Sequence, residues 1–331
     1  MFILAKNNKK MKKILVIGAA GQIGTDLTLK LNELYDCNNV IVADIKKPQK
    51  EIIEQNKYYK LNVLNADELK KVVIENQIDT IFHLAAMLSG KAEQNPAAAW
   101  DLNINSLFNV LNLAKDNNIK KVFWPSSIAA FGKNSQKKNT PQYDVMDPNT
   151  VYGISKVSGE LWAQYYFEKY NVDVRSLRYP GLISYRTEPG GGTTDYAVEI
   201  FYDAIKYKKY TSFLDRGTTL PMMYMDDAIK ATIEIMEAPA EKIKIHTSYN
   251  VAAISFSPEE IADEIRKYIP EFTIDFKPDF RQKIAESWPQ SIDDSKARED
   301  WGWKHNFDLS KMTEVMIKEI SKKIKTKTQS E

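Results

Sequence analysis

Cysteine is almost absent: Cys37 stands alone among 331 residues, which excludes an intramolecular disulfide framework and any cysteine-rich zinc site. Such a chain fits a reducing compartment. Histidine is scarce as well, with His83, His246 and His305 far apart, so a metal centre would need mostly carboxylate ligands and none is expected. A surplus of charge of one sign is also missing. Lys and Arg number 46 against 44 Asp and Glu, and the resulting +2 gives no basic field to hold nucleic acid. No run of ~18 apolar residues is present to span a bilayer, so no membrane partner is expected. With 43% apolar residues the chain can still bury a full core, and a soluble, cytoplasmic protein is the expectation. The first 13 residues hold a short apolar stretch and five Lys but no signal-like apolar region or small-residue cleavage site. Residues 1 to 11 are expected to form a frayed extension, with Met11 an alternative start, and the tail from Lys322 to be solvated.

Against ~150 residues per domain, this length gives two domains or one large core with an appended lobe. From Lys13 onward, short β-rich runs alternate with longer helical ones. Ile14 to Gly18, Val40 to Asp44, Thr80 to Leu84, Lys121 to Pro125 and Val172 to Leu177 read as strands. Helices are predicted from about Gln22 to Tyr35, Ala66 to Asn76, Ala97 to Asn117 and Tyr152 to Tyr170. Buried apolar runs separated by amphipathic helices predict a parallel sheet covered on both faces, a doubly wound α/β domain of the Rossmann kind over residues 12–180. After Pro180 the alternation weakens, with a glycine run at 190–192, a helix near Tyr196 to Lys206 and a capped helix at Ser257-Pro-Glu-Glu260. Residues 181–321 read as a smaller substrate-binding lobe, partly interleaved with the last strands.

Gly18-Ala-Ala-Gly21-Gln22-Ile23-Gly24 follows the first strand and opens the first helix. Glycine is wanted there because a side chain would block the turn, the approach of a pyrophosphate and the packing of helix on strand, while the helix N-terminus offers free N–H groups to an anion. Asp44 ends the second strand, where a carboxylate accepts from both ribose hydroxyls and repels a 2′-phosphate. NAD is therefore the expected cofactor. The bland alternative is a plain turn and a surface aspartate. Farther on, Tyr152-Gly-Ile-Ser-Lys156 sets a phenol and an ammonium four apart on one helix face, where that cation, together with the positive nicotinamide ring, is expected to lower the phenol toward use as a base. Taken alone, that pair is as well explained by an exposed helical surface.

The Gly-x-x-Gly-x-x-Gly spacing resembles the extended short-chain dehydrogenase/reductase family, as do Leu84-Ala85-Ala86 at a strand end and Asn62-Val63, where an Asp-Val pair often lies near the adenine. The resemblance covers about residues 12 to 310. It extends to Pro125-Ser-Ser-Ile-Ala-Ala-Phe-Gly132, to Arg178-Tyr179-Pro-Gly181, and to Ser295-Lys-Ala297 with Trp301-Gly-Trp303. It implies a triad of Ser127, Tyr152 and Lys156, with Ser127 bonding the reacting oxygen, Lys156 holding the ribose, and Tyr179 beside the nicotinamide. For Ser126 a backbone-bonding role is expected, and for the tryptophan pair a core anchor.

Dehydratases of that family carry Asp-Glu after the strand-end residue, whereas Ser127 is followed by Ile128-Ala129, which argues against elimination. Tyr179 to Ser184, Gly190 to Ala197, Leu220 to Met225 and Glu286 to Pro289 resemble the branch that oxidises L-threonine at its β-carbon to 2-amino-3-oxobutanoate. That resemblance implies Ser89, Ser127, Tyr152, Gly192, Thr194 and Trp288 around the substrate, with Gly190 to Thr194 a mobile lid. Each has an ordinary alternative: Ser89 a helix cap, the glycines a surface loop, Trp288 a packing residue. Two other readings stay open, a nucleotide-sugar 4-epimerase or reductase using Arg216 and Arg281 for a diphosphate, and a non-catalytic NAD-binding regulatory protein. A homodimer is expected, because Leu107, Leu111, Trp162 and Tyr166 place apolar groups around more of their helices than one sheet can cover.

Overall fold

The structure, a computed structural model, describes residues 11–117 and 119–328. Its first half runs β1 (Ile14–Ile17), α1 (Gln22–Leu34), β2 (Val40–Asp44), α2 (Lys50–Gln55), β3 (Tyr58–Lys60), α3 (Ala66–Glu75), β4 (Thr80–His83), α4 (Ser89–Gln94), α5 (Pro96–Trp100), α6 (Ser106–Asp116), β5 (Lys121–Phe123), β6 (Ser126–Ser127) and α7 (Val151–Tyr170). There follow β7 (Val174–Arg175), β8 (Leu177–Tyr179), β9 (Gly181–Ile183), α8 (Tyr196–Tyr207), β10 (Lys209–Ser212), β11 (Leu220–Tyr224) and α9 (Met225–Glu237). The chain ends with β12 (Tyr249–Asn250), β13 (Ile254–Phe256), α10 (Pro258–Arg266), β14 (Thr273–Phe276), α11 (Phe280–Ser287), α12 (Ser295–Trp301) and α13 (Leu309–Thr328).

Six parallel strands form the main sheet in the order β3-β2-β1-β4-β5-β7. Side chains alternate across it. Ile14 and Val16 of β1 join one core cluster with Leu27 and Leu31 of α1 and Ala228 and Ile235 of α9, whereas Leu15 and Ile17 join another with Leu69, Leu107, Leu111 and Ala163. A strand buried on both faces has to be apolar throughout, which is why this sheet was readable from sequence. The strand order reverses between β1 and β4, so a crevice opens outside their carboxyl ends. Smaller sheets, β6-β8-β12 and β9-β11-β13, carry the chain from the end of β5 into a third apolar cluster built on α8, α10 and α13.

Four details depart from expectation. Met11 is buried in the first cluster and so is no part of a frayed end, while residues 1 to 10 lie outside the described residues. The tail from Lys322 continues α13 as far as Thr328, because Ile317, Ile320 and Ile324 recur at helical spacing and pack on the third cluster. The helix foreseen over Ala97 to Asn117 is α5 and α6 joined by a π-helical turn at Asp101–Asn105. Leu107, Leu111 and Tyr166, taken as surplus apolar surface, are buried within the chain; Trp162 remains partly exposed. The capping box at Ser257 and Glu260 is formed, and Trp303 is buried, donating its Nε1–H to Ala252 O at 3.2 Å.

Candidate active site

The glycine turn is crowded by design of its backbone. Gly18 has φ +88°, and a Cβ there would lie 2.8 Å from Ala85 N, so the β4 exit Leu84-Ala85-Ala86 runs directly against the turn. A Cβ on Gly24 would lie 2.1 Å from Gly18 O, so α1 can dock this close only through glycine. Gly21 is the N-cap of α1 and has no side chain to cap it, leaving first-turn N–H groups of the helix to an incoming anion. Asp44 accepts from Ala20 N–H at 3.0 Å and from Lys46 N–H at 2.9 Å, which fixes its carboxylate beside the turn. This cradle fits a dinucleotide with free ribose hydroxyls. Asn62 and Val63 stand farther out: Asn62 is exposed and accepts from Leu64 N–H, and Val63 is buried in the core.

From the turn a cleft of about 1070 Å³, open to solvent, runs toward the second lobe. Its lining includes Gly18, Gly21, Gln22, Ile23, Gly24, Leu84, Ala86, Ser89, Ser127, Tyr152, Lys156, Tyr179, Gly192, Thr194 and Trp288, so most of the residues singled out from sequence meet in one place. Asp44, Asn62, Val63 and Ala85 do not line it; Asp44 and Ala85 touch its glycine turn instead.

Tyr152 lies in the first turn of α7, capped by the Thr150 side chain on Gly153 N–H. Its hydroxyl faces the side chain of Ser127, whose Oγ accepts from Ala129 N–H at 3.2 Å. Lys156, one helical turn on, is fully enclosed, donates from Nζ to Pro125 O at 2.7 Å and rests 4.4 Å from the Trp124 ring centre. Burial pulls its ammonium down to about 7, with Glu160 pulling the other way. In the protein alone the phenol of Tyr152 stands above its ordinary value. Burial lifts it to about 12, with the Ser127 hydroxyl pulling the other way, while the Lys156 ammonium lies 5.3 Å from the phenol ring centre.

Across the cleft the glycine run is held by the aspartate that follows it. Asp195 accepts from Gly191 N–H at 2.6 Å and Gly192 N–H at 2.7 Å, and Thr193 is buried. A Cβ on Gly181 would meet Thr194 at 2.7 Å, and one on Gly90 would meet Gly191 O at 3.0 Å, so β9 and the start of α4 carry glycine where the run presses on them. Asp195 was missed from sequence, although an aspartate directly after a glycine run is an ordinary signal for such an N–H clamp. Asn103 was missed too. On the π-helical turn it accepts from Met87 N–H at 2.7 Å and donates to Met87 O and Ser155 Oγ, both at 3.1 Å, tying the β4 exit to α7. Only the fold brings those three together.

The NAD dependent epimerase/dehydratase family matches residues 14–252. The chain belongs to that family. An uncharacterized epimerase/dehydratase of Staphylococcus aureus (strain USA300) is 48% identical over 315 residues, spanning 95% of this chain and 98% of the relative. A GalE-like L-threonine dehydrogenase from Cupriavidus necator, solved in its holo form, superposes with a TM-score of 0.90 at 51% identity over 92% of this chain and 99% of its own. A monomeric L-threonine 3-dehydrogenase of metagenomic origin does so at 0.90 and 48% identity over 93% and 99%. For an epimerase/dehydratase acting on a sugar diphosphate, cations would have to face the cleft, yet Arg216 and Arg281 do not line it. Arg216 is paired to Glu259, and Arg281 to Asp279 while stacked on Phe213.

Proposed function

We propose that this protein oxidises the β-hydroxyl of L-threonine to 2-amino-3-oxobutanoate, with hydride transfer to NAD. The observation that carries the reading is one cleft lined by Ser127, Tyr152 and Lys156 together with the glycine turn, the clamped Gly192-Thr193-Thr194 segment and Trp288. The glycine turn and Asp44 would hold NAD, which when bound would supply the hydride acceptor for the carbinol carbon and a positive ring that favours the phenolate. Ser127 donates to the reacting oxygen and holds it in line. Tyr152 takes the hydroxyl proton, and Lys156 keeps its charge close to that phenol and to the ribose. Ser89 and Thr194 are placed to bond the carboxylate of a small zwitterion. Asp195 is the one carboxylate lining the cleft among the described residues, an acceptor for the ammonium. Trp288, buried at the edge, closes over the methyl group.

In this reading residues 12–180 bind NAD, residues 181–321 bind the substrate, and the enzyme works as a cytoplasmic homodimer. The reading is tested by adding L-threonine and NAD to the purified protein and following NADH by absorbance. Turnover that requires both is expected. Turnover or binding of a nucleotide sugar with none of L-threonine would transfer the assignment to an epimerase or reductase, and NAD binding without either reaction would favour a regulatory role.

A further inference from the structure

Three ionisable side chains sit together out of water, Lys156 in the wall of the cleft and Arg178 and Glu160 outside its lining: Lys156 is 2% exposed, Arg178 3% and Glu160 0%. Uncompensated, each would be strongly disfavoured there. Glu160 follows Lys156 by four residues on α7 and so shares its face. That face lies hard against the strand end, since a Cβ on Gly159 would stand 2.2 Å from the Trp124 ring. Glu160 is fully engaged. Its Oε1 accepts from Ser126 Oγ at 2.5 Å and from Arg178 Nε at 2.9 Å, and its Oε2 accepts from Arg178 Nη2 at 2.7 Å. Arg178 spends its remaining arm on Gln142 O at 2.8 Å and Asn250 Oδ1 at 3.1 Å. Ser126 and Arg178 face each other in the β6–β8 pair, one residue before Ser127 and Tyr179.

The other titratable groups around Lys156 supply no negative charge. On β4, His83 bonds Ser106 through Nε2 at 2.8 Å and burial keeps it neutral. On β8, Arg178 is itself a cation, and Tyr179, tied to Thr232, is held protonated by burial. On α7, Tyr152 is the phenol to be deprotonated. We propose that Glu160 is the counter-ion that keeps Lys156 protonated in this closed interior, while its bond to Ser126 fixes the strand end that carries Ser127. Glu160 is thus a positioning residue, acting through Lys156 and Ser126 and not on substrate. The inference rests on the proposed role of Lys156 beside Tyr152.

The test follows the Lys156 side chain directly, by NMR of lysine-labelled protein across pH, with its signal identified by loss in Lys156→Met. In the unmodified protein the midpoint is expected at or above about 7, and in Glu160→Gln it should fall by about one unit or more, the size of an opposite charge removed at close range. Glu160→Asp should stay near the unmodified value. Because Glu160→Gln strands the Arg178 guanidinium and can fail to fold, the same fall is also read between Arg178→Met and the double variant Glu160→Gln/Arg178→Met, which differ only in the Glu160 charge. The alkaline limb of kcat/KM against pH should move down by the same interval, a change that general loosening of the fold does not produce. An unmoved midpoint in whichever variant folds overturns the proposal, as does an unmodified midpoint well below 7. Absence of L-threonine turnover in the unmodified protein would count against the proposed reaction alone, because the NMR titration needs no turnover.

Discussion

Tyr152 and Asp44 show how much of the proposed reaction rests on single polar atoms. Tyr152→Phe keeps the half-buried ring and removes only the hydroxyl that faces Ser127. Its kcat should fall by ~100-fold or more, the range for a positioned proton transfer, with NAD affinity by fluorescence titration nearly unchanged. Retained turnover would remove Tyr152 from the mechanism. Asp44 does two things at once, since the carboxylate that would bind the ribose also holds Ala20 N–H in the glycine turn. Asp44→Ala should therefore weaken NAD by ~1 to 3 kcal/mol, for lost hydrogen bonds to a charged acceptor, and weaken NADP much less because repulsion of the 2′-phosphate goes with it. Comparison of kcat/KM for the two cofactors checks this, and equal use of both by the unmodified enzyme would contradict the role. These residues were legible in the sequence because each sits at a fixed offset from a strand end. Glu160 and Arg178 were not, being separated by 18 positions and joined only when β6 pairs with β8.

Among the elements, α7 and the clamped glycine segment bear most directly on the site. Gly159 lets α7 approach Trp124, and Trp124 is too enclosed to retreat. Gly159→Ala sets a helix-propensity gain of about 1 kcal/mol against overpacking of ~1 to 3 kcal/mol, and the short approach decides for overpacking. Urea unfolding should show a net loss of stability, with kcat falling too since Tyr152 and Lys156 ride on the same helix; a stabilised variant would reject the argument. On the opposite wall, Thr194→Val keeps shape and deletes a hydroxyl. It should cost ~1 to 3 kcal/mol in kcat/KM for L-threonine with NAD affinity unmoved, and an unchanged kcat/KM would take Thr194 out of the pocket. The strands and α1 could be read from sequence because two-sided burial leaves no freedom in their composition. The π-helical turn at Asp101–Asn105 could not. Nothing in Asp-Leu-Asn-Ile-Asn marks it locally, and what it achieves, the reach of Asn103 to Met87 and Ser155, exists only in the folded chain.

For the molecule as a whole, the cleft takes its lining from distant parts of one chain, from Gly18 to Trp288. Association is a matter of surface. Once Leu107, Leu111 and Tyr166 are counted as core, α7 still exposes Ile154 (46%), Leu161 (56%), Trp162 (37%) and Tyr165 (44%), spaced 7, 8 and 11 residues from the first. That is a single helical stripe. Phe108 of α6 packs edge-on against Trp162 at 4.7 Å and Tyr165 against it at 5.5 Å, so the stripe is held rigid by rings from two helices before any partner arrives. Paired with its own copy about a two-fold axis, such a stripe would bury tryptophan and tyrosine at its centre, the residues that carry binding energy in such contacts. The protein should therefore run as a dimer in sedimentation equilibrium at micromolar concentration. Trp162→Glu combined with Leu161→Glu would bury two carboxylates at that contact and should give a monomer that still binds NAD. A monomeric mass for the unmodified protein would refute the interface, and a dimer undisturbed by the double variant would move it to another face.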